Sequence, residues 1–454
     1  MKRFFPLFLI ATCILATLAA ADAFAAAQTI VLPEDPTKAY ITLGILCVAG
    51  VMFFLEIVPL PVTALLVPVA LSLTNVISSK AAFSYFGNPT VVLFMAMFIV
   101  GEATFVTGFA DKVGALAVRF SKGSQVKLLL YTMMAIGLLS TMLSNTGTTV
   151  VAVPMVLGMC MKAKIAPGRV LIPIAFASSL GGTATLVGTP PNGIVNGVIS
   201  GLDPSLGIQP FGFFEFGLIG IPLLVAGLLY YALIGYKFLP DKKIDTVEDD
   251  LIDKKPRRQN KMWFSIVIFI FVVSMMATEL MPLTTAAVLG ACLMIISGCM
   301  TMREAFRSVD WTTIFLFAGM LSMSTAMDKS GAAAIVASAV VKMVTNPWML
   351  MFVCCALTAI ITNFMSNTAT AALMAPLAMP IAIASGISPL PIIMGIAMSA
   401  SCCFLTPIAT PPNTIVLGPG RYSFIDYVKA GWPLQLLCLV LCVLLIPIIW
   451  PFHP

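Results

Sequence analysis

The sequence predicts an all-α integral membrane protein with about 10–11 transmembrane helices in two inverted repeats, each holding a re-entrant hairpin and a broken helix. Three observations lead there. Only 10% of the 454 residues are charged and 60% are apolar, against roughly 25% charged in soluble domains. Apolar segments follow one another at about the 20-residue length that crosses a hydrocarbon layer of about 30 Å, and the basic residues cluster in the loops between them. Finally, landmarks of the first half return in the second, in register.

Taken in order, Met1-Lys2-Arg3, the apolar run Phe4 to Ala20 and Ala23-Phe24-Ala25 make residues 1–27 a signal peptide or a first transmembrane helix. Both readings leave Lys2 and Arg3 in the cytoplasm. Spans follow at about 39–57, 61–78, 90–110, 169–199 and 213–238, with an apolar stretch at 128–161 interrupted by Ser-Asn-Thr-Gly. Residues 239–261 mix Lys242, Lys243, Lys254, Lys255, Arg257 and Arg258 with Asp241, Asp245, Glu248, Asp249, Asp250 and Asp253. That segment is too polar for lipid and reads as a cytoplasmic linker between a first repeat, 39–238, and a second, 262–450. The second repeat offers spans at about 262–280, 283–300, 311–328, 389–415 and 431–450, with an interrupted stretch at 348–383.

The duplication is explicit. Glu56-x-x-Pro59-Leu60 recurs as Glu279-x-x-Pro282-Leu283 and Ala82-Phe83 as Ala305-Phe306, both at one and the same offset. Ser144-Asn145-Thr146 recurs as Ser366-Asn367-Thr368, and Pro190-Pro191-Asn192 as Pro411-Pro412-Asn413, each at an offset a single position shorter than the one before. If each interrupted stretch is a hairpin, each half crosses five times and the second half is inverted. Charge placement agrees: Lys112, Arg119, Lys122, Lys127, Lys162, Lys164, Arg169, the linker, Arg303, Arg307, Arg421 and Lys429 fall inside, and only Lys80, Lys329, Lys342 and Lys38 outside. The expected location is the cell inner (plasma) membrane, crossed many times. Basic residues at helix ends form no nucleic-acid patch. The cysteines show no metal spacing and most lie in apolar runs, and the sole histidine, His453, is next to last, so a membrane enzyme lacks a nucleophile with its base.

Both motifs break helices. Consecutive prolines remove amide donors, and non-helical chain at membrane depth is tolerated only inside protein or along a wet cavity. The carbonyls before each proline pair are then free to bind a cation. Ser140 four residues before Ser144, and Thr362 four before Ser366, would set two hydroxyls on one helical face, and Asn145 and Asn367 each add an amide oxygen. Neutral oxygens of this kind suit sodium. The same tips suit an anion: a helix starting there offers unpaired amides, joined by the Asn145 and Asn367 amides and the hydroxyls of Thr146, Ser366 and Thr368. Neither motif holds Arg or Lys, so a bound dianion would need cations beside it. Glu56 and Glu279 sit near helix ends, where a structural role is expected.

The paired SNT motifs, with Gly181-Gly182-Thr183-Ala184-Thr185 leading into Gly188-Thr189-Pro190-Pro191-Asn192, and with Ala409-Thr410-Pro411-Pro412-Asn413, resemble the divalent anion:sodium symporter family, solute carrier family 13 and its bacterial relatives. The resemblance implies a homodimer in which a mobile domain carries substrate by an elevator motion. It implies one sodium ion at Ser140, Ser144, Asn145 and the Gly188 carbonyl, and another at Thr362, Asn367 and the carbonyls of Met365 and Ala409. Substrate carboxylates would meet Asn145, Thr146 and Thr189 on one side and Ser366, Asn367, Thr368, Thr410 and Pro411 on the other. The expected activity is sodium-coupled import of C4-dicarboxylates such as succinate, malate or fumarate, with sodium as the coupling ion and no other cofactor. Sulfate or tricarboxylate symport, dicarboxylate antiport and a channel remain the competing readings.

Overall fold

The computed structural model describes residues 36–109, 112, 125–163, 165–202, 207–242, 258–343 and 346–453. The amino-terminal segment 1–27 and most of the 239–261 linker lie outside these residues. The described chain is helical. In the first half α1 spans Thr37–Leu55, α2 Leu60–Leu73, α3 Ser79–Phe83, α4 Pro89–Val106, α5 Gln125–Ser140, α6 Asn145–Ala163, α7 Leu171–Gly182, α8 Pro190–Ser200 and α9 Gly217–Leu233. In the second, α10 spans Met262–Ala277, α11 Leu283–Ile296, α12 Met302–Ser308, α13 Trp311–Lys329, α14 Ala332–Met343, α15 Pro347–Ile361, α16 Asn367–Ala384, α17 Pro389–Ser401, α18 Pro411–Leu417 and α19 Phe424–Ile449. Five helical stretches among the described residues are long and apolar enough to cross a membrane.

Recurrent residues make recurrent turns. Glu56 ends α1 in the left-handed region at φ 46°, and Glu279 follows α10 at φ 53°. Three residues later Pro59 and Pro282, both at ψ 138°, launch α2 and α11. Asn75 and Gly298 reverse the chain after those helices at φ 55° and 75°. Asn88 caps α4 by accepting the Thr90 amide at 2.8 Å, and Asp310 caps α13 by accepting the Thr312 amide at 3.1 Å. A left-handed non-glycine costs energy that glycine avoids. Glu56→Gly and Glu279→Gly are therefore expected to stabilise slightly, by up to about 1 kcal/mol, with uptake unchanged. Thermal melting in detergent beside an uptake assay checks this.

Packing crosses the halves reciprocally. Helix α2 packs on α13 while α11 packs on α4; α6 packs on α18 while α8 packs on α16; α7 meets α18 while α17 meets α8. Within each half, α5 lies on α7 and α15 on α17. Such exchange is what a twofold relation between halves produces. Phe94 of α4 and Phe317 of α13 meet edge-on, 4.9 Å between centroids, and α8 can press against both rings because Gly193 has no side chain there. At the far end of the linker, Arg258 forks onto Glu304 at 2.8 and 3.1 Å. Partial burial opposes ionisation of Glu304, but the Thr301 amide and the Arg258 guanidinium outweigh it and hold the carboxyl below its usual range.

Several sequence expectations shift. Helix α14 falls in no expected span, because twelve mostly small residues between Lys329 and Lys342 carry too short an apolar signal. Helix α19 starts at Phe424, seven residues before the expected 431, because Ser423 and Asp426 form a capping box. The interrupted stretches resolve into α5–α6 and α15–α16, and the spans at 169–199 and 389–415 into α7–α8 and α17–α18. All cysteines among the described residues are free thiols.

Candidate functional site

In the first half α5 ends at Ser140, residues 141–144 turn, and α6 begins at Asn145. Pro190 and Pro191, unable to donate, can only start a helix, so residues 183–189 remain non-helical between α7 and α8. These two breaks meet. One terminal atom of the Asn145 amide sits 2.6 Å from Ser140 Oγ, 3.1 Å from the Gly188 carbonyl and 3.1 Å from the Ser178 carbonyl. Carbonyls only accept, so that atom is the nitrogen, its two hydrogens shared among the three oxygens. Ser178 Oγ in turn donates to the Asn145 carbonyl at 2.9 Å and bonds Ser140 Oγ at 3.2 Å. Gly182 makes room: a Cβ there would lie 2.9 Å from Asn145 Cγ.

Three of the four residues expected around the first sodium ion, Ser140, Asn145 and Gly188, are thus brought together. Ser144 is engaged otherwise. Its Oγ accepts the Gly147 amide at 3.0 Å and caps α6. The expectation that Ser140 and Ser144 share a helical face fails because α5 has ended; Thr362 and Ser366 fail it likewise, since α15 ends at Ile361. A buried turn, not helical periodicity, sets these hydroxyls. Thr189 enters α8 extended, at φ −141° and ψ 141°, fully buried with its hydroxyl unpartnered. Thr146 is exposed on the first turn of α6.

The second half repeats the backbone but not every bond. Thr410 enters α18 at φ −147° and ψ 144°, matching Thr189. Ser366 caps α16 by accepting the Ala369 amide at 3.1 Å, which leaves its own proton to donate. Asn367 Oδ1 accepts the Thr368 amide at 2.8 Å and the Thr368 hydroxyl at 3.3 Å. Thr362 donates to the Ala400 carbonyl at 2.6 Å. Met365 and Ala409 are buried beside these residues in sequence, Pro411 is exposed, and no hydrogen bond among the described residues joins Thr362, Asn367 and Ala409. The main cross-half neighbour of each SNT helix is the PPN helix of the other half, α18 for α6 and α8 for α16.

Sequence reasoning gave no role to the residues that hold these breaks. Thr185 donates to the Thr141 carbonyl, and Thr406 donates to the Asn363 carbonyl at 2.6 Å. Asn192 gives its amide to the carbonyls of Thr183 (3.3 Å) and Thr185 (2.8 Å). Asn413 does the same for Cys403 (3.0 Å) and Thr406 (2.9 Å). Thr185 and Thr406 are separated by the same interval as Asn192 and Asn413, so the repeat itself was the available signal. No such signal marked Gln435, whose Oε1 accepts the Phe404 amide at 3.2 Å, or Ser178.

Helical breaks tied to one another by neutral oxygens, in a bundle of apolar helices, are the architecture of a multi-pass membrane transporter, and the comparisons agree. The citrate transporter family model (CitMHS) matches residues 50–384 and, again, 323–452. The chain belongs to that family, among the divalent anion:sodium symporters. An uncharacterized transporter, YfbS, of Escherichia coli is 25% identical over 90% of this chain and 99% of its own length. An uncharacterized transporter of Haemophilus influenzae is 28% identical over 90% and 91%. The sodium-dependent dicarboxylate transporter SdcS of Staphylococcus aureus is 26% identical over 92% and 88%. Among solved structures, the YdaH transporter of Alcanivorax borkumensis matches 92% of this chain and 99% of its own at 18% identity, with a TM-score of 0.65; that likeness concerns the fold.

Proposed function

We propose that this chain is a sodium-coupled symporter that imports C4-dicarboxylates such as succinate, malate or fumarate. The observation that carries the reading is the convergence of Ser140 Oγ and the Gly188 carbonyl on the Asn145 amide, where the turn after α5 meets the break before α8. Turned over and drawn back, the amide aims its oxygen at that point, and a small hard cation takes the place the nitrogen held among neutral oxygens. The named activity of SdcS supports the same cation and substrate class.

Coupling follows from charge. The SNT and PPN motifs hold no Lys or Arg, so a dianion at the tips of α6 and α16 finds amides, hydroxyls and helix dipoles but no protein cation. Sodium at Ser140, Ser144, Asn145 and Gly188, and at Thr362, Met365, Asn367 and Ala409, neutralises it. One carboxylate meets Asn145, Thr146 and Thr189, the other Ser366, Asn367, Thr368, Thr410 and Pro411. In this reading the repeats 39–238 and 262–450 are inverted, the hairpins and broken helices move as one body against the remaining helices, and two copies form the working dimer. Citrate is the second reading, favoured by the description of the matching family.

Uptake of radiolabelled succinate by proteoliposomes tests this. Replacing external sodium by potassium is expected to reduce uptake to background, and unlabelled succinate, malate and fumarate to compete. Uptake indifferent to sodium sinks symport. Competition by citrate far below the succinate concentration needed moves the substrate to tricarboxylates.

A further inference from the structure

We propose that Ser178 is a positioning residue of the first sodium cluster: its hydroxyl holds two ligands, Ser140 and Asn145, in place, from a site where its own carbonyl faces the same point. The inference rests on the sodium-symport reading and adds a residue that neither motif contains. Ser178 lies in α7, before the break, with no exposed surface. Its carbonyl is as near the Asn145 amide atom as the Gly188 carbonyl is, 3.1 Å in each case. Ser140 Oγ and the carbonyls of Gly188 and Ser178 thus face one point, and an ion that takes that point as the Asn145 amide turns and draws back lies against the Ser178 oxygen as well. A hard cation collects several oxygens, and the Ser178 carbonyl is one that the side chains of the hairpin cannot supply.

The hydroxyl works on the hairpin. It donates to the Asn145 main-chain carbonyl at 2.9 Å and bonds Ser140 Oγ at 3.2 Å, spanning the end of α5 and the start of α6 from a third helix. Thr149 Oγ1 also donates to the Asn145 carbonyl, at 2.8 Å, but it belongs to α6 and leaves Ser140 alone. Ser178 is the α7 residue whose side chain reaches both hairpin arms. Its counterpart in the second half, at the interval that separates the two PPN motifs, is Ser399, buried with an unpartnered hydroxyl. The described residues of that half form no equivalent bridge, which makes the link a property of the first site.

Ser178→Ala removes the bridge and keeps the carbonyl. The expected result is a sodium concentration for half-maximal uptake raised roughly five- to tenfold, the scale of one lost buried hydrogen bond. Maximal uptake, and the succinate KM at saturating sodium, stay near wild type. A residue that merely packed would lower uptake at every sodium concentration. Ser178→Cys, similar in size with a weaker donor, should fall between. Sodium-dependent thermal stabilisation of the purified protein reads the same shift without transport, so a variant inactive for other reasons still reports. Thr149→Val is the comparison and should shift the sodium dependence less than about twofold. A wild type without sodium dependence sinks the symport reading itself. A sodium-dependent wild type with unchanged dependence in both Ser178 variants, or an equal shift in Thr149→Val, overturns the assignment of Ser178 alone.

Discussion

Asn145→Ala is expected to abolish sodium-driven dicarboxylate uptake, by roughly a hundredfold or more, and Asn367→Ala to do the same. A buried hydrogen bond to a charged group contributes about 1.5–3 kcal/mol, and each decade in rate or affinity is about 1.4 kcal/mol. Asn145 faces Ser140, Gly188 and Ser178 with one end of its amide, so alanine removes an ion ligand and a substrate donor together. Two such losses in one residue exceed the two decades. Asn367 differs locally, since its oxygen holds the Thr368 amide and hydroxyl. Alanine there frees Thr368 at the start of α16 as well as removing a ligand. The measurement is initial-rate uptake in proteoliposomes matched for reconstituted protein. Asn145→Asp sharpens it: the carboxylate keeps oxygen toward sodium but sets a like charge against the substrate, so sodium-dependent thermal stabilisation should persist while succinate uptake is lost. Full uptake in either alanine variant refutes the site.

The recurring motifs and the helix breaks were legible in the sequence because each depends on a local rule. Apolar length reports a span, and Pro190-Pro191 and Pro411-Pro412 can only open helices, as α8 and α18 do. A set of motifs that returns at a nearly constant interval reports a duplication whatever its function. Short elements were not legible. α14 is compact and small-residue, and α3 and α12 are one or two turns that any apolar window absorbs. Within the site, spacing gave Ser140 a different neighbour from the one the structure shows. Ser140 reaches Asn145 across a turn, where periodicity had placed it on a face with Ser144. Ser178 was invisible because its contribution is a main-chain oxygen and a bond to another helix, and neither depends on a pattern within α7. The difference between the two Asn residues is tertiary too: the same SNT triplet meets Gly188 and Ser178 in one half and turns onto its own Thr368 in the other.

Gly181→Ala and Gly182→Ala, one residue apart, are expected to fail in opposite ways. A Cβ on Gly181 would lie 2.7 Å from the Gly137 Cα, against the backbone of α5. Backbone cannot step aside, so α5 and α7 must separate along a tight contact. Forced overpacking of this kind costs about 1–3 kcal/mol, and the variant should melt earlier and accumulate poorly in the membrane. A Cβ on Gly182 instead meets the end of the Asn145 side chain, 2.9 Å from its Cγ. A short amide can rotate away, which preserves the helix packing, but it then leaves Ser140, Gly188 and Ser178 without the group they surround. Gly182→Ala should therefore keep a melting temperature near wild type, lose most sodium-dependent uptake, and lose the extra thermal stability that sodium confers on the wild type. No ligand atom has been deleted, so the loss would come from where the Asn145 amide sits. Uptake by Gly182→Ala near the wild-type rate, with the sodium response intact, would show that the cluster tolerates a displaced amide and would remove the geometric basis of the cation site.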